Sequence, residues 1–389
     1  MPTVVDRDLS TRKARDIMRL VRELARDELA PRAATNEREG TFPRGVLDSL
    51  GAHGLLGLPF PQQYGGGGQP YGVYLQVIEE LASAWLTVAE SVSVHTMACF
   101  PLATSGTDEQ RERWLPGMVS GSMLGAYCLS EANAGSDAAA LTTRAVVNGS
   151  GPGARYIVNG TKSWITHSGH ADFYNLMVRT GGPGSSGISC LLAPRDTPGL
   201  SFGPRERLMG LRGSPVAEVR LDDAAVDADR LIGREGRGFH IAMSALDSGR
   251  LGIAACAVGL AQAALNTAVS YAGGREQFGR SISEFQGVSF MLADMGTGVA
   301  AGRALYLEAA RRKDAGLRFS RYSAMAKLFC TDMAMRVTAD AVQVLGGVGY
   351  TEDFPVERYM REAKVLQIFE GTNQIQRVVI AKDLTTRRT

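Results

Sequence analysis

Several residue types that mark particular protein classes are scarce in this 389-residue chain. Its five cysteines include no CxxC pair, and its five histidines include no HExxH motif. An odd number of isolated cysteines in apolar stretches predicts buried free thiols in a reducing compartment rather than a disulfide framework. Because the His and Cys residues are not paired as zinc ligands usually are, the sequence also predicts no metal site.

The chain has no excess of charge of either sign, since 42 Lys and Arg stand against 40 Asp and Glu, a net charge of +2. That balance gives no reason to expect a nucleic-acid partner. No run approaches the roughly 20 unbroken apolar residues of a membrane-spanning helix. Segment 1–13 is polar and carries two acidic residues, unlike a signal or transit peptide. Arginine supplies 36 of the 42 basic residues, a composition typical of high-GC bacteria, so we expect a cytoplasmic bacterial protein.

What is present is a globular composition, 44% hydrophobic and 21% charged, arranged in three segments. Residues 1–122 follow helical spacing, residues 123–236 alternate short β-branched or aromatic runs with turns, and residues 237–389 are helical again. We therefore expect a multi-domain α+β protein with an N-terminal helical domain, a middle β-domain and a C-terminal helical domain at these boundaries. The first long helix is expected to end at Pro31, and Asn159-Gly160 to form a hairpin turn between two strands.

Two short motifs match patterns of known enzymes without the structural context that those patterns need. Residues 182–187, GPGSSG, match GxGxxG, but the apolar run that follows reads as a strand rather than the helix of a dinucleotide site. Residues 199–203, GLSFG, match GxSxG, but prolines flank them and no parallel α/β pattern surrounds them. We expect a hairpin turn at the first motif and a loop at the second.

The strongest local signal is residues 127–137, YCLSEANAGSD, where a strand end is followed by a turn rich in hydroxyls and carbonyls. Such a turn can present backbone N–H groups to a planar heterocycle or an anion. With further stretches in the same order, it resembles the acyl-CoA dehydrogenase family over nearly the whole chain. Those stretches are GTDEQRERWLP (106–116), NGTKSWIT (159–166), LIGREGRGFHIAM (231–243), LDSGRLGIAACAVGLAQ (246–262), REQFGRSISEFQGVSFMLADM (275–295), QVLGGVGYTEDFPVERYMREAK (343–364) and IFEGTNQIQR (368–377).

The resemblance implies an N-terminal helical domain, a central antiparallel β barrel or sandwich and a C-terminal four-helix bundle. It also implies an enzyme that binds FAD between the β-domain and the C-terminal helices and oxidises an acyl-CoA thioester to trans-2-enoyl-CoA. In such an enzyme a base removes the α-proton while the β-hydrogen leaves as a hydride to the flavin.

By resemblance the base is Glu370, in the family's EGT motif, and Gly371 beside it contacts the substrate. Some relatives take the base from the position before the arginine of a D-x-x-R motif. That position is Gly249 here, and glycine cannot abstract a proton. The flanking Asp247 and Arg250 are expected to contact CoA, although an ion pair within one helix turn is the alternative.

For FAD, the resemblance implies two sets of contact residues. The first set comes from two loops and from the residues after the base: Tyr127, Leu129, Ser130, Gly135, Ser136, Trp164, Ile165, Thr166, Thr372, Asn373 and Gln374. Of these, Ser136 is also expected near CoA. The second set contacts FAD across a subunit boundary in the family: Arg275, Gln277, Phe278, Phe285, Gln286, Gln343, Val344, Leu345, Gly346 and Gly347. The guanidinium of Arg275 suits a pyrophosphate, and the second set implies a homotetramer.

The acyl group and the electron acceptor are less closely specified. The resemblance implies transfer of electrons to an electron-transfer flavoprotein and a role in fatty-acid β-oxidation. An acyl group held on a carrier protein, oxidation by O2, and a scaffold without catalysis are the alternatives. Asp247 and Arg250 favour CoA, and the intact Glu370 argues against a scaffold. Segment 91–100 is expected near the acyl pocket, and we expect a short- to medium-chain acyl group, straight or branched.

Overall fold

A computed structural model describes residues 5–386 of the chain. Residues 1–4 of the N-terminal segment and residues 387–389 of the expected C-terminal domain lie outside the described residues. Within the described range, helices precede and follow a β-sheet, and this order confirms the predicted fold class. The boundaries at 122/123 and 236/237 remain predictions.

The N-terminal part is helical, but its first helix does not end near Pro31. A π-helical turn, Ala25–Leu29, continues the helix into a second one that ends only at Gly40, where φ is 66°. Pro31 lies in the first turn of that second helix, where a missing backbone N–H is tolerated, so the expected break was wrong. The helices are α1 (Arg12–Leu24), α2 (Ala30–Glu39), α3 (Arg44–Ala52), α4 (Tyr71–Ala84), α5 (Leu86–Ser105) and α6 (Asp108–Val119).

The middle part is built on one mixed sheet. Within residues 5–386 it has eight strands, in the order β6-β7-β3-β2-β4-β5-β8 with β1 paired beside β4. Most neighbours are antiparallel, whereas β1 and β2 each run parallel to β4. The strands are β1 (Gly125–Cys128), β2 (Arg144–Asn148), β3 (Arg155–Thr166), β4 (Phe173–Arg179), β5 (Ile188–Pro194), β6 (Leu200–Phe202), β7 (Val216–Asp227) and β8 (Leu231–Ile232).

Two expectations about turns in this sheet were wrong, and one was confirmed. Asn159-Gly160 is not a hairpin turn: it lies inside the continuous strand β3, at a bulge opposite β7. At Gly160 a Cβ atom would lie 2.6 Å from Thr143 Oγ1, so the glycine permits close approach of a neighbouring strand. The GxSxG match at 199–203 is strand β6 rather than a loop, whereas residues 182–187 do connect β4 to antiparallel β5.

The C-terminal part packs around one long helix, α7. Its most apolar 18-residue window has a mean hydropathy of 1.5, which would suit a membrane span by composition, but 83% of that window is buried in the protein. It contacts α4, α5, α8 and α9. A core position explains its hydropathy. The elements are α7 (Gly238–Gly274), β9 (Glu276–Gln277), β10 (Arg280–Ser281), α8 (Gln286–Asp314), α9 (Ser320–Leu345), α10 (Val356–Leu366) and α11 (Asn373–Thr385).

The five cysteines are free thiols, and all of them are buried, as their apolar surroundings in the sequence predicted. Burial raises the pKa of each thiol above its ordinary value. A thiol with a raised pKa is a weak nucleophile at neutral pH. These cysteines therefore belong to the packing of the core.

Candidate active site

A cavity of about 710 Å³ lies where the three parts of the chain meet. Helix α5 supplies one wall, the ends of β1 and β3 supply a second, and α7 with the segment between α10 and α11 supplies a third. Twelve of the residues expected from the resemblance line it: Tyr127, Leu129, Ser130, Gly135, Ser136, Trp164, Ile165, Thr166, Arg250, Glu370, Gly371 and Thr372.

The two loops expected to hold the flavin are joined to each other. The Ser163 backbone N–H donates to the Ser130 carbonyl at 2.9 Å. Beneath them, buried Lys162 donates from Nζ to Glu131 Oε1 at 2.8 Å and to the Leu129 carbonyl at 3.2 Å. Burial alone would raise the pKa of Glu131, but Lys162 and hydrogen bonds from Thr142 and Thr143 lower it to about 2. The loops are therefore braced by an ionised, hydrogen-bonded pair.

The side chains on this wall fit a flat heterocycle such as the isoalloxazine of FAD. Trp164 lines the cavity and is 56% exposed as a residue, which is unusual for so large an apolar ring. Its φ of 56° turns the chain at the end of β3. The hydroxyls of Ser130, Ser136 and Thr166 lie on the same cavity. An accessible indole next to several hydroxyls can stack on a ring system and hydrogen-bond its edge.

Glu370 lines the same cavity from a tight turn between α10 and α11. Both Glu370 and Gly371 have positive φ, 56° and 83°, and this conformation is uncommon for glutamate. Lys327 Nζ donates to the Gly371 carbonyl at 2.9 Å and to Asn373 Oδ1 at 2.8 Å. Gln376 Nε2 also donates to the Gly371 carbonyl, at 2.8 Å. These bonds hold the turn in a strained conformation that directs the carboxyl group into the cavity.

The carboxyl group of Glu370 is poorly solvated and poorly paired. Its Oε2 is inaccessible to solvent and has no hydrogen-bond partner among the described residues. Burial raises the pKa of Glu370 to about 7, although Arg250 and Lys327 oppose the rise. A carboxyl group with a pKa near the working pH is well suited to accept a proton from a substrate.

The absence of a side chain at Gly249 leaves room for the Glu370 carboxyl group. A Cβ atom at position 249 would lie 2.9 Å from Glu370 Oε2 and 2.7 Å from Met97 Sδ. The two positions from which relatives can supply a base therefore face the same point in space. Glycine on α7 leaves that point to Glu370.

Asp247 and Arg250 form the ion pair that their spacing allowed. Arg250 Nη1 donates to Asp247 Oδ1 at 2.7 Å, and Ser320 Oγ donates to the other carboxylate oxygen. Arg250 also lines the cavity, and its Nε is buried without a partner among the described residues. Arg250 therefore both pairs with Asp247 and lines the cavity, so an ion pair within the helix and a contact with CoA are compatible.

The structure does not bring the remaining expected residues to this cavity. Asn373 is buried behind the turn on Lys327 and Thr331, and Gln374 is exposed. Phe278 is 95% exposed at the connection between β9 and β10. The other expected residues absent from the cavity lining are Asp247, Arg275, Gln277, Phe285, Gln286, Gln343, Val344, Leu345, Gly346 and Gly347.

Two charged residues at the site were missed by sequence reasoning. Glu90, on α5, lines the cavity at 1% exposure, and Lys327, on α9, is fully buried behind the base. Each is a lone charged residue in an otherwise apolar stretch, TVAESVSV and SAMAKLFC. A charge inside such a stretch must find a partner or a function, and this signal was available in the sequence. Segment 91–100 does reach the cavity, through Val94 and Met97.

Comparisons with known proteins agree with this geometry. Family models match in order: the acyl-CoA dehydrogenase N-terminal domain at residues 11–122, its middle domain at 126–224 and its C-terminal domain at 236–385. The chain belongs to the acyl-CoA dehydrogenase family. It is therefore an FAD-dependent oxidoreductase, a flavoprotein that dehydrogenates acyl-CoA.

Three relatives place this acyl-CoA dehydrogenase within the family. A short-chain specific acyl-CoA dehydrogenase of Clostridium acetobutylicum is 41% identical over 95% of this chain and 97% of its own. Butyryl-CoA dehydrogenase of Megasphaera elsdenii has a similar structure, with a TM-score of 0.94 and 39% identity over 98% of this chain and all of its own. A chain from the structure of an electron transferring flavoprotein of Acidaminococcus fermentans has a TM-score of 0.95 and 41% identity, with the same coverage.

Proposed function

We propose that this acyl-CoA dehydrogenase acts on short-chain acyl-CoA thioesters with Glu370 as the base. The observation that carries the assignment is the buried, unpaired Oε2 of Glu370 in the cavity that Trp164 also lines. A carboxyl group in that position, with a pKa raised by burial, can remove a weakly acidic α-proton. The relatives described as short-chain specific and as butyryl-CoA dehydrogenase support the short acyl group.

The residues of this chain would have the following roles in the reaction. Ser130, Ser136, Trp164 and Thr166 would hold the ring of FAD, which would supply the acceptor for the β-hydrogen as a hydride. Glu370 takes the α-proton onto its carboxyl group. Arg250, which lines the cavity, contacts the CoA portion of the substrate, while Asp247 fixes the orientation of the guanidinium.

The residues that lie away from the cavity fit a contact with another subunit. Phe278 is 95% exposed and lies next to Phe285, with ring centroids 6.0 Å apart, and such an aromatic pair at the surface suits a contact with another subunit. We propose that the set from Arg275 to Gln286, together with 343–347, completes the FAD site of a neighbouring copy in a homotetramer. We also propose that reduced FAD passes its electrons to an electron-transfer flavoprotein, and that the enzyme works in β-oxidation in the cytoplasm.

Anaerobic spectroscopy of the purified holoenzyme tests the reaction. We expect butyryl-CoA to bleach the flavin absorbance and to yield trans-2-enoyl-CoA, whereas the same acyl group on a carrier protein should bleach it far more slowly. Glu370→Gln should keep its FAD and bleach roughly 10²- to 10⁴-fold more slowly, which is the contribution expected of a positioned base. Bleaching of this variant at the wild-type rate would show that another residue is the base.

A further inference from the structure

Glu90 is a second carboxyl group on the cavity that holds Glu370. It is 1% exposed, lies on α5, and lines the cavity beside the apolar side chains of Val94 and Met97. Ser214 Oγ donates to its Oε2 at 3.2 Å and Thr166 Oγ1 donates to its Oε1 at 3.4 Å. No lysine or arginine in the described part of the chain forms an ion pair with it. Nothing in the proposed reaction uses this residue.

The surroundings of Glu90 leave its oxygens with unused acceptor capacity. An ionised carboxylate offers about four lone-pair sites, and here two hydroxyls occupy one site each at long distances. Burial raises the pKa of Glu90 to about 7, and the nearby charge of Glu370 acts in the same direction. Burying such a group without a cation is costly unless another partner arrives. A cavity meant only for an unsubstituted alkyl chain has no need of it.

We propose that Glu90 selects acyl groups that carry a hydrogen-bond donor, either a hydroxyl or a protonated amine. The inference rests on the proposed function, because it requires the acyl chain to lie in this cavity with its α-carbon at Glu370. A donor on the substrate would occupy an acceptor site of Glu90 that the protein leaves open. An unsubstituted acyl group of equal length would leave the same carboxyl group without that partner.

The experiment compares substrates of equal length with the intact holoenzyme. Alkyl, ω-hydroxy and ω-amino acyl-CoA thioesters of four to six carbons are used to reduce the flavin anaerobically, and the rate is measured against concentration. For wild type we expect the best donor-bearing substrate to exceed its alkyl counterpart in kcat/KM by roughly 10- to 100-fold. Glu90→Leu should remove this preference. Glu90→Gln should keep the preference for hydroxyl and lose the preference for amine, which separates the two donors.

A control separates substrate selection from support of the cavity wall. Ser214→Ala removes one hydroxyl bound to Glu90 and leaves the carboxyl group in place. The preference for donor-bearing substrates should survive in this variant. FAD content, measured by absorbance after purification, shows whether each variant keeps its site, and Glu90→Met, which has a similar length and no charge, replaces Glu90→Leu if the latter loses FAD.

Three results would overturn the inference. One is equal or better reduction by the alkyl substrates, with a ratio that Glu90→Leu leaves unchanged. Another is loss of FAD from both Glu90 variants, which would assign the residue to the wall. In both cases the alkyl substrates still bleach wild type, so the proposed function stands. If no acyl-CoA bleaches wild type, the proposed function itself fails and the inference falls with it.

Discussion

Two regions of this protein bury glutamate carboxyl groups, and they treat them in opposite ways. In the helical core, Glu79 accepts from Arg303 at 2.8 Å, pairs with Arg7 at 2.7 Å and accepts a bond from the Tyr306 hydroxyl. At the cavity, Glu370 has an oxygen with no partner among the described residues. Glu79 is fully buried, and Glu370 is half-buried with its Oε2 inaccessible to solvent, so the two carboxyl groups differ most in their partners.

The pKa values follow those partners. Burial would raise the pKa of Glu79, but Arg7, Arg303 and Tyr306 overcome this effect and lower it. At Glu370 burial prevails over Arg250 and Lys327, and the pKa rises to about 7. A saturated carboxylate stays ionised and stabilises the fold, whereas an under-partnered one can exchange a proton near neutral pH. For these two glutamates, the number of partners accounts for the opposite directions of their pKa shifts.

The largest expected effect is on stability, at the saturated site. Glu79→Gln removes the countercharge of two arginines, one of which, Arg7, has only 4% of its side chain exposed. Breaking one partner out of a buried ion pair costs about 3–5 kcal/mol. A urea titration of the holoenzyme should show that loss, while the rate of flavin reduction per bound FAD stays near wild type.

For Glu370→Gln we expect the opposite outcome in the urea titration and in the rate of flavin reduction. It replaces a buried carboxyl group that has few partners, so the free energy of unfolding should not fall. Its effect should appear in the rate of flavin reduction alone. Equal destabilisation by Glu79→Gln and Glu370→Gln would remove the distinction between the two sites.

A second substitution tests the space reserved for the base. Gly249→Ala adds a Cβ atom 2.9 Å from Glu370 Oε2 and 2.7 Å from Met97 Sδ. Overpacking of this kind costs typically about 1–3 kcal/mol, and the carboxyl group must move to relieve it. We expect slower flavin reduction with FAD retained. Gly273→Ala is the matched control on the same helix, because within residues 5–386 its added Cβ meets no atom within 4 Å beyond its own stretch of helix, and it should not change the rate.

The sequence predicted some residues of this site and not others, and the reason differs between the two groups. Glu370, Trp164 and Arg250 lie in motifs with fixed spacing, and the structure brings them to one cavity. Glu90 and Lys327 reach the same site from the middle of helices, where their burial depends on contacts between distant segments. Local patterns do not contain those contacts.

The same dependence on structure outside the motif explains the wrong predictions about the fold. Asn159-Gly160 has the composition of a hairpin turn, but pairing along both sides of β3 keeps the strand continuous. Pro31 suits a helix end, but the π-helical turn before it lets the next helix start there. In both cases the conformation was determined by structure outside the few residues of the motif.

Substitution of Lys327 tests whether its charge lowers the pKa of Glu370, and we expect a smaller effect than those above. Proton abstraction needs ionised Glu370, so the rate of flavin reduction should rise with pH through about 7. The Lys327 cation favours that ionised form, and burial lowers its own pKa to about 7 as well. Lys327→Met should raise the pKa of Glu370 and move the profile upward by about one pH unit. Stopped-flow reduction at a series of pH values measures the move.

Lys327→Gln is the matched control, because it keeps a hydrogen-bond donor for the Gly371 carbonyl but removes the charge. If charge controls the base, the Gln and Met variants should shift the pH profile alike. If the hydrogen bond to the turn is what matters, the Gln variant should resemble wild type. No shift in either variant would contradict an electrostatic role for Lys327.

The smallest expected effect compares two helix caps of the same kind. Thr372 Oγ1 accepts from the Ile375 N–H at 3.3 Å at the start of α11, next to Glu370, and Thr107 Oγ1 accepts from the Gln110 N–H at 3.2 Å at the start of α6. Replacing an N-cap threonine by alanine costs about 1 kcal/mol, so Thr372→Ala and Thr107→Ala should lower the free energy of unfolding alike. Only Thr372→Ala should slow flavin reduction, since it loosens the turn that aims the carboxyl group, and Thr372→Ser should restore the rate. Equal kinetic effects of the two alanine variants would mean that general loss of stability, rather than the placement of Glu370, limits the reaction.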